Sequence, residues 1–260
     1  MSNIRQSAVA GMFYPGNPEE LDSIVTSYLN KAKNTVPHPR AIIVPHAGYI
    51  YSGQVAAEAY KSLGTIQNSI QRVVLLGPSH RVPLYGCALS SADYFETPLG
   101  NIAIDTAANK ALSEAGLARV MDEAHLLEHS LEVQLPFLQE ILPDFKLVPI
   151  VVGEASAEEV ANILEFFWED KATLFVISSD LSHYHPYHEA VQRDHETTES
   201  ILHFHNVSSQ QACGCKPVNG LLAQARKYHL NAKLLELKNS GDTAGSKDQV
   251  VGYGAYAFYE

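Results

Sequence analysis

Short, unbroken runs of aliphatic and β-branched residues recur along the chain, and most of them end in a cluster of turn-formers. Ala41 to Val44, Arg72 to Leu76, Phe145 to Val152 and Thr173 to Ser178 read as strands buried on both faces, the pattern of a parallel sheet. Between them the apolar period changes to that of a helix. Pro18-Glu19-Glu20 opens one with acidic residues in its first turn, and Leu21, Ile24, Val25, Tyr28 and Leu29 carry it to about Lys33. Ser52-Gly53 leads into QVAAEAYKSL, an Ala-rich helix that Gly64 closes. Asp105 caps a helix to about Ala115, and a Ser-x-x-Glu box opens another from Ser156 to Trp168.

Helical spacing also covers Glu128 to Ile141, where Pro136 is expected to perturb it, and about Tyr187 to His203. SSQQACGCKPVNGLLAQARKY predicts two short helices broken near Pro217. Val82 to Ile104 alternates without a helical period and reads as hairpin material. Lys233 to Leu237 and Gln249 to Tyr259 read as closing strands, separated by the polar loop NSGDTAGSKD. The alternation of strand and helix predicts one α/β domain over residues 1–260: a central mixed, mostly parallel sheet with helices on both faces.

Composition narrows the function classes. The formal net charge of −11 argues against neutralising a phosphate backbone, so no direct nucleic-acid binding is expected. The three cysteines, Cys87, Cys213 and Cys215, are too few for a disulfide scaffold and suit a reducing compartment. No targeting pattern marks the N-terminus, and no apolar run approaches the ~20 residues of a membrane span. A soluble, cytoplasmic protein with no membrane contact is expected.

The informative chemistry sits just past the predicted strands. His46 follows AIIVP, His80 follows VVLLGPS, and Asp180 and His183 follow FVISS. In an open α/β sheet such positions face one crevice. A single histidine there is as often a satisfied polar residue as a ligand. Two imidazoles with a carboxylate make a set suited to a divalent metal. Asp180 has the alternative of capping the next turn, which leaves His183 at the surface.

HLLEHSLEVQLPF adds His129 and Glu132, three apart on one predicted helix face, so that one residue acts and the other orients it; an amphipathic surface helix is the equal alternative. Asp122, Glu123 and Glu128 read as solvated surface. Among the histidines of SHYHPYHEAVQRDH, His185 is the one expected to line the cleft, with His188 and His195 at the surface. Cys213-Gly214-Cys215 is not the C-x-x-C of redox or zinc sites; a buried inert thiol is the expected role of both cysteines, with lining the pocket from a helix N-terminus as the alternative for Cys213. SGDTAGSKD fails as a phosphate loop, and neither G-x-S-x-G nor G-x-G-x-x-G occurs.

AGMFYPG, PHAGYIYSG, LLGPSHR, ETPLG, EHSLEVQLPFL, SSDLSHY, CG-x-x-P and GYGAYAF, in this order and spacing, resemble the Memo family, also described as AmmeMemoRadiSam system protein B. The resemblance runs over nearly the whole chain. It implies a fold like that of the class III extradiol dioxygenases, with a cleft at one sheet edge. The cleft residues it implies are His46, His80, Asp180 and His183, with His129 and Glu132 nearby.

In family members that bind iron or copper, a cysteine of the late polar loop is taken to help hold the metal. Counting back from Tyr253 places Thr243 at that position, and threonine is a poor ligand. His46, His80 and Asp180 are therefore the expected ligands, with Asp242 as another source of the carboxylate. Iron is favoured, with copper or zinc as alternatives, and His183, His129 and Glu132 are the candidate catalytic groups. The implied activity is a non-haem-iron, dioxygenase-like oxidoreductase. The rival reading is a binding module for a peptide or small anion that has kept the scaffold without the chemistry. The system name implies radical-enzyme partners.

Overall fold

In a computed structural model, residues 2–33, 36 and 38–260 are described. The first half of the chain runs through β1 (Ile4–Arg5), α1 (Pro18–Lys31), β2 (Pro39–Val44), α2 (Tyr49–Ser62), β3 (Arg72–Pro78), β4 (Cys87–Leu89), β5 (Tyr94–Thr97), β6 (Gly100–Ala103) and α3 (Thr106–Glu114). It continues with β7 (Arg119–Val120), α4 (Asp122–Leu126), α5 (Leu135–Ile141), β8 (Lys146–Val152), α6 (Ala157–Phe166), β9 (Thr173–Ser178) and β10 (His183–His185). α7 (Tyr187–Leu202), α8 (Cys215–Lys227), β11 (Asn231–Asn239) and β12 (Val250–Tyr259) complete it.

The main sheet has the order β10-β12-β2-β9-β3-β8-β4-β7, with β11 also paired to β12, while β1, β5 and β6 form a small separate sheet. Its centre, β2-β9-β3-β8, is parallel, and the flanking pairs with β12 and β4 are antiparallel. This is an α/β fold with a mixed sheet. Side chains alternate between two cores, as a pleated strand requires. Ile42 and Val44 pack with residues of α1, α2 and α5, whereas Ala41 and Ile43 pack with residues of α3, α6, α7 and α8. Among the described residues no helix is long and apolar enough to cross a membrane.

The local signals locate most elements. Asp105 caps α3 through Ala108 N–H, and the Ser156/Glu159 capping box opens α6. Three segments differ. α2 begins at Tyr49, so Ser52 and Gly53 lie inside the helix rather than in a leading loop. Glu128 to Ile141 is not one helix: an irregular turn precedes a 3-10 turn at Glu132–Gln134, and α5 starts only at Leu135. The carbonyls and side chains of that turn are spent on β3, β9 and, through Glu128 O, on Arg5 of the N-terminal segment, which overrides helical spacing. Pro217 does not split α8; it lies in the first turn, where a missing N–H costs nothing.

Candidate functional site

Three neighbouring strands each deliver a polar residue two positions beyond their last residue: His46 after Val44 of β2, Asp180 after Ser178 of β9, and His80 after Pro78 of β3. Val44 stands opposite Ser178 in the parallel β2–β9 register, which brings His46 and Asp180 together. The His46 N–H donates to Asp180 Oδ1 at 2.8 Å. Across the crevice the ring centroids of His46 and His80 are 5.2 Å apart.

Two loops close over these strand ends, each through a glycine that permits close approach. A Cβ on Gly77 would lie 2.8 Å from Ser130 Oγ, so the 128–131 turn rests on β3 only because no side chain intervenes. A Cβ on Gly214 would lie 2.6 Å from Ser179 Cβ, and Gly214 N–H instead donates to Ser179 Oγ at 2.9 Å. The first loop brings in His129, with ring centroids 4.7 Å from His80 and 5.5 Å from His46. The second brings in Cys213, whose Sγ is 3.3 Å from His46 Nε2.

Hydrogen bonding sets the tautomers of these imidazoles. The Ser178 hydroxyl donates its one proton to Ser130 O at 2.6 Å, so at His46 Nδ1, 2.8 Å away, it must accept. His46 thus carries its proton on Nδ1 and a lone pair on Nε2. His80 Nδ1 lies 2.8 Å from Glu128 Oε1, and the His80 N–H donates to Glu128 Oε2 at 2.6 Å. A carboxylate only accepts, so His80 also presents an Nε2 lone pair. His183 repeats the pattern, its Nδ1–H donating to Leu181 O at 2.8 Å.

The electrostatics keep His46 and His129 neutral. Burial, with the neighbouring His80, His129 and His183, pushes His46 well below the ordinary imidazole value. Burial lowers His129 to about 4, although Glu128 opposes the shift. Glu128 goes the other way: burial disfavours its charge, but the ring and backbone of His80 outweigh that and hold it at about 2. Burial raises Asp180 to about 6 against the pull of the His46 N–H and the His183 charge. Burial and the nearby Asp180 raise the Cys213 thiol above its usual range.

Ligand atoms of His46, His80 and Cys213 all lie within 4.8 Å of one another, as do those of His80, Glu128 and His129. Of the expected His46, His80 and Asp180, the structure brings the two histidines within that reach of each other, and the third donor atom there is a thiol. Asp180 is committed to the His46 backbone. Thr243 is not where a third donor comes from: it is exposed, and its hydroxyl donates to Ser240 O at 3.2 Å. Asp242 caps its own turn, its carboxylate accepting the Asn239 N–H at 3.0 Å and the Tyr187 hydroxyl at 2.6 Å.

Glu128, read from sequence as solvated, is buried and orients His80. A carboxylate flanked by His125 and His129 was the available signal, but exposure could not be judged without the turn that buries it. Glu132 is buried and pairs with Arg5, while also accepting from Ala8 N–H at 2.8 Å, Val9 N–H at 2.9 Å and the Tyr14 hydroxyl at 2.6 Å. It fastens the AGMFYP loop and does not join the imidazoles. His185 lies beside Glu189 at 3.2 Å.

The match to a family model, "Memo-like protein", extends over residues 5–257. The chain belongs to the Memo family. It is 38% identical to a MEMO1 family protein of Aquifex aeolicus, covering 96% of this chain and 97% of that one. A MEMO1 family protein of Methanosarcina mazei is 37% identical, over 97% and 98% of the two chains. Among solved structures, an uncharacterized protein of Escherichia coli K12 shares the fold with a TM-score of 0.53 at 13% identity, over 82% of this chain and 98% of that one. In this Memo-family chain, the motifs GPSH and CG-x-x-P are the two that supply His80 and Cys213 to the cluster.

Proposed function

We propose that this Memo-family protein is a metal-dependent oxidoreductase of the non-haem type, with His46, His80 and Cys213 holding one transition-metal ion. The observation that carries the reading is the convergence of two imidazoles and a thiol from three separate segments within 4.8 Å. Both imidazoles have Nδ1 occupied as a donor, leaving Nε2 as the ligating atom. Two nitrogens and a sulfur suit a borderline-to-soft ion, so iron(II), copper and zinc all fit the donor chemistry. An ion held by these residues would supply Lewis-acid or redox chemistry there.

The surrounding residues have definable tasks. Glu128 fixes the ring of His80, as the carboxylate partners of ligating histidines do. Asp180, whose charged form is disfavoured by burial, accepts the His46 N–H beside the cluster, a position that suits proton relay. His183 has its Nε2 free to accept a proton because Nδ1–H is tied to Leu181 O. His129 packs on both ring neighbours and on Phe13, 4.8 Å between centroids, and shields that side from water.

Metal analysis of protein purified without a histidine tag tests the proposal. A stoichiometric transition metal that is lost in both His46→Ala and Cys213→Ser supports it. Metal-free protein that cannot be loaded with iron(II), copper or zinc overturns it, and ligand binding that persists there would favour a binding module instead.

A further inference from the structure

A hollow of about 340 Å3 opens at the carboxyl ends of β3 and β8, next to the cluster and sharing Cys213 with it. Its walls are mainly apolar: Pro78, Val82, Pro83, Leu84 and Val152. Lys216 and Glu154 are the charged groups on its lining.

The wall is built in advance. The 79–86 loop is pinned to the end of β8 through backbone groups: Ser79 N–H donates to Val152 O at 2.9 Å, Glu154 N–H to Leu84 O at 2.7 Å, and Gly86 N–H to Glu154 O at 2.8 Å. Ser79 Oγ adds a bond to Val82 O at 2.6 Å. The hollow therefore needs no rearrangement to exist, as small-molecule sites usually do not. The same loop carries His80, so whatever fills the hollow lies one residue along the chain from a cluster ligand.

The two charges tell what it accepts. Lys216 Nζ is 3.1 Å from Glu154 Oε2, with the side chains 39% and 71% exposed. A pair this open is worth little, so a second carboxylate can take the ammonium while Glu154 turns to water. We infer that this hollow binds a small molecule with an apolar body and one carboxylate, the carboxylate on Lys216 and the body on the Val82–Leu84 wall. The inference deepens the proposed function by naming the substrate class, and rests on that reading only for what happens after binding.

Benzoate and its uncharged counterpart benzamide are the probes, titrated by calorimetry and by saturation-transfer NMR into metal-free and zinc-loaded protein. Benzoate is expected to bind both forms, with Lys216→Gln weakening it by about three- to fivefold, as for an exposed ion pair, and leaving benzamide unchanged. Ser209→Trp, placed on the exposed rim of the hollow, is expected to abolish both while zinc affinity stays unchanged. The inference falls if wild-type protein shows no benzoate binding, if Lys216→Gln weakens both probes equally, or if neither substitution changes benzoate affinity. Zinc titration of the same samples reads the metal centre separately, so the two proposals fail independently.

Discussion

Cys213 Sγ lies 3.3 Å from His46 Nε2, although 167 positions separate the two residues in the chain. Because His46 holds its proton on Nδ1, the thiol proton is the one shared along this contact. The Asp180 N–H, 3.3 Å from the same sulfur, helps to hold it in place. This one contact turns a pair of strand-end histidines into a three-donor set.

Cys213→Ser is expected to lower affinity for zinc or iron(II) by more than a hundredfold, since a hydroxyl replaces a soft ligand. Thr243→Ala is expected to leave affinity within twofold. Competition titration against a chromophoric chelator measures both, and comparable losses in the two variants would contradict the assignment.

Glu128→Gln keeps the size of the side chain but removes the full charge that accepts from His80 at two atoms. Metal affinity is expected to fall by about ten- to a hundredfold, the range for carboxylates behind ligating histidines. The fold is expected to remain, because the amide still offers an acceptor, and circular dichroism checks that. Unchanged affinity would mean that packing alone orients His80.

Glu132→Gln should act on stability instead. It breaks a buried pair with Arg5 and weakens the tie to the AGMFYP loop, at a cost of about 3–5 kcal/mol. Urea unfolding measures it, and metal stoichiometry at low urea should stay at the wild-type value. Loss of metal without loss of stability would instead place Glu132 in the centre.

His125 predicts a pH effect away from the cluster. Burial depresses it from 6.5 to about 4, while its Nε2–H donates to Ala88 O at 3.0 Å. The unfolded chain therefore takes up a proton that the folded chain refuses. Stability present above about pH 6.5 should be lost progressively as pH falls to about 4, by roughly 3 kcal/mol, and should then level off for this group. Wild-type denaturation midpoints across that range, set against His125→Gln, isolate the contribution; parallel curves would exclude it.

Much of this molecule is determined locally. Buried strands are legible because parallel central strands need apolar side chains on both faces, and Asp105 and Ser156 mark helix starts because exposed N–H groups need acceptors. The strand-end positions of His46, His80 and Asp180 follow from the same runs. Which donors meet is not local. Cys213 joins His46 and His80 because the order β2-β9-β3 sets the spacing of the strand ends and Gly214 lets its loop settle on Ser179. Glu128 and Glu132 sit four apart in one segment, yet the docking of the 128–131 turn over Gly77 aims one at His80 and the other at Arg5. Sequence alone determined most of the elements and the strand-end candidates; tertiary packing decided the partners, because a side chain's partner depends on which distant backbone comes to rest against it.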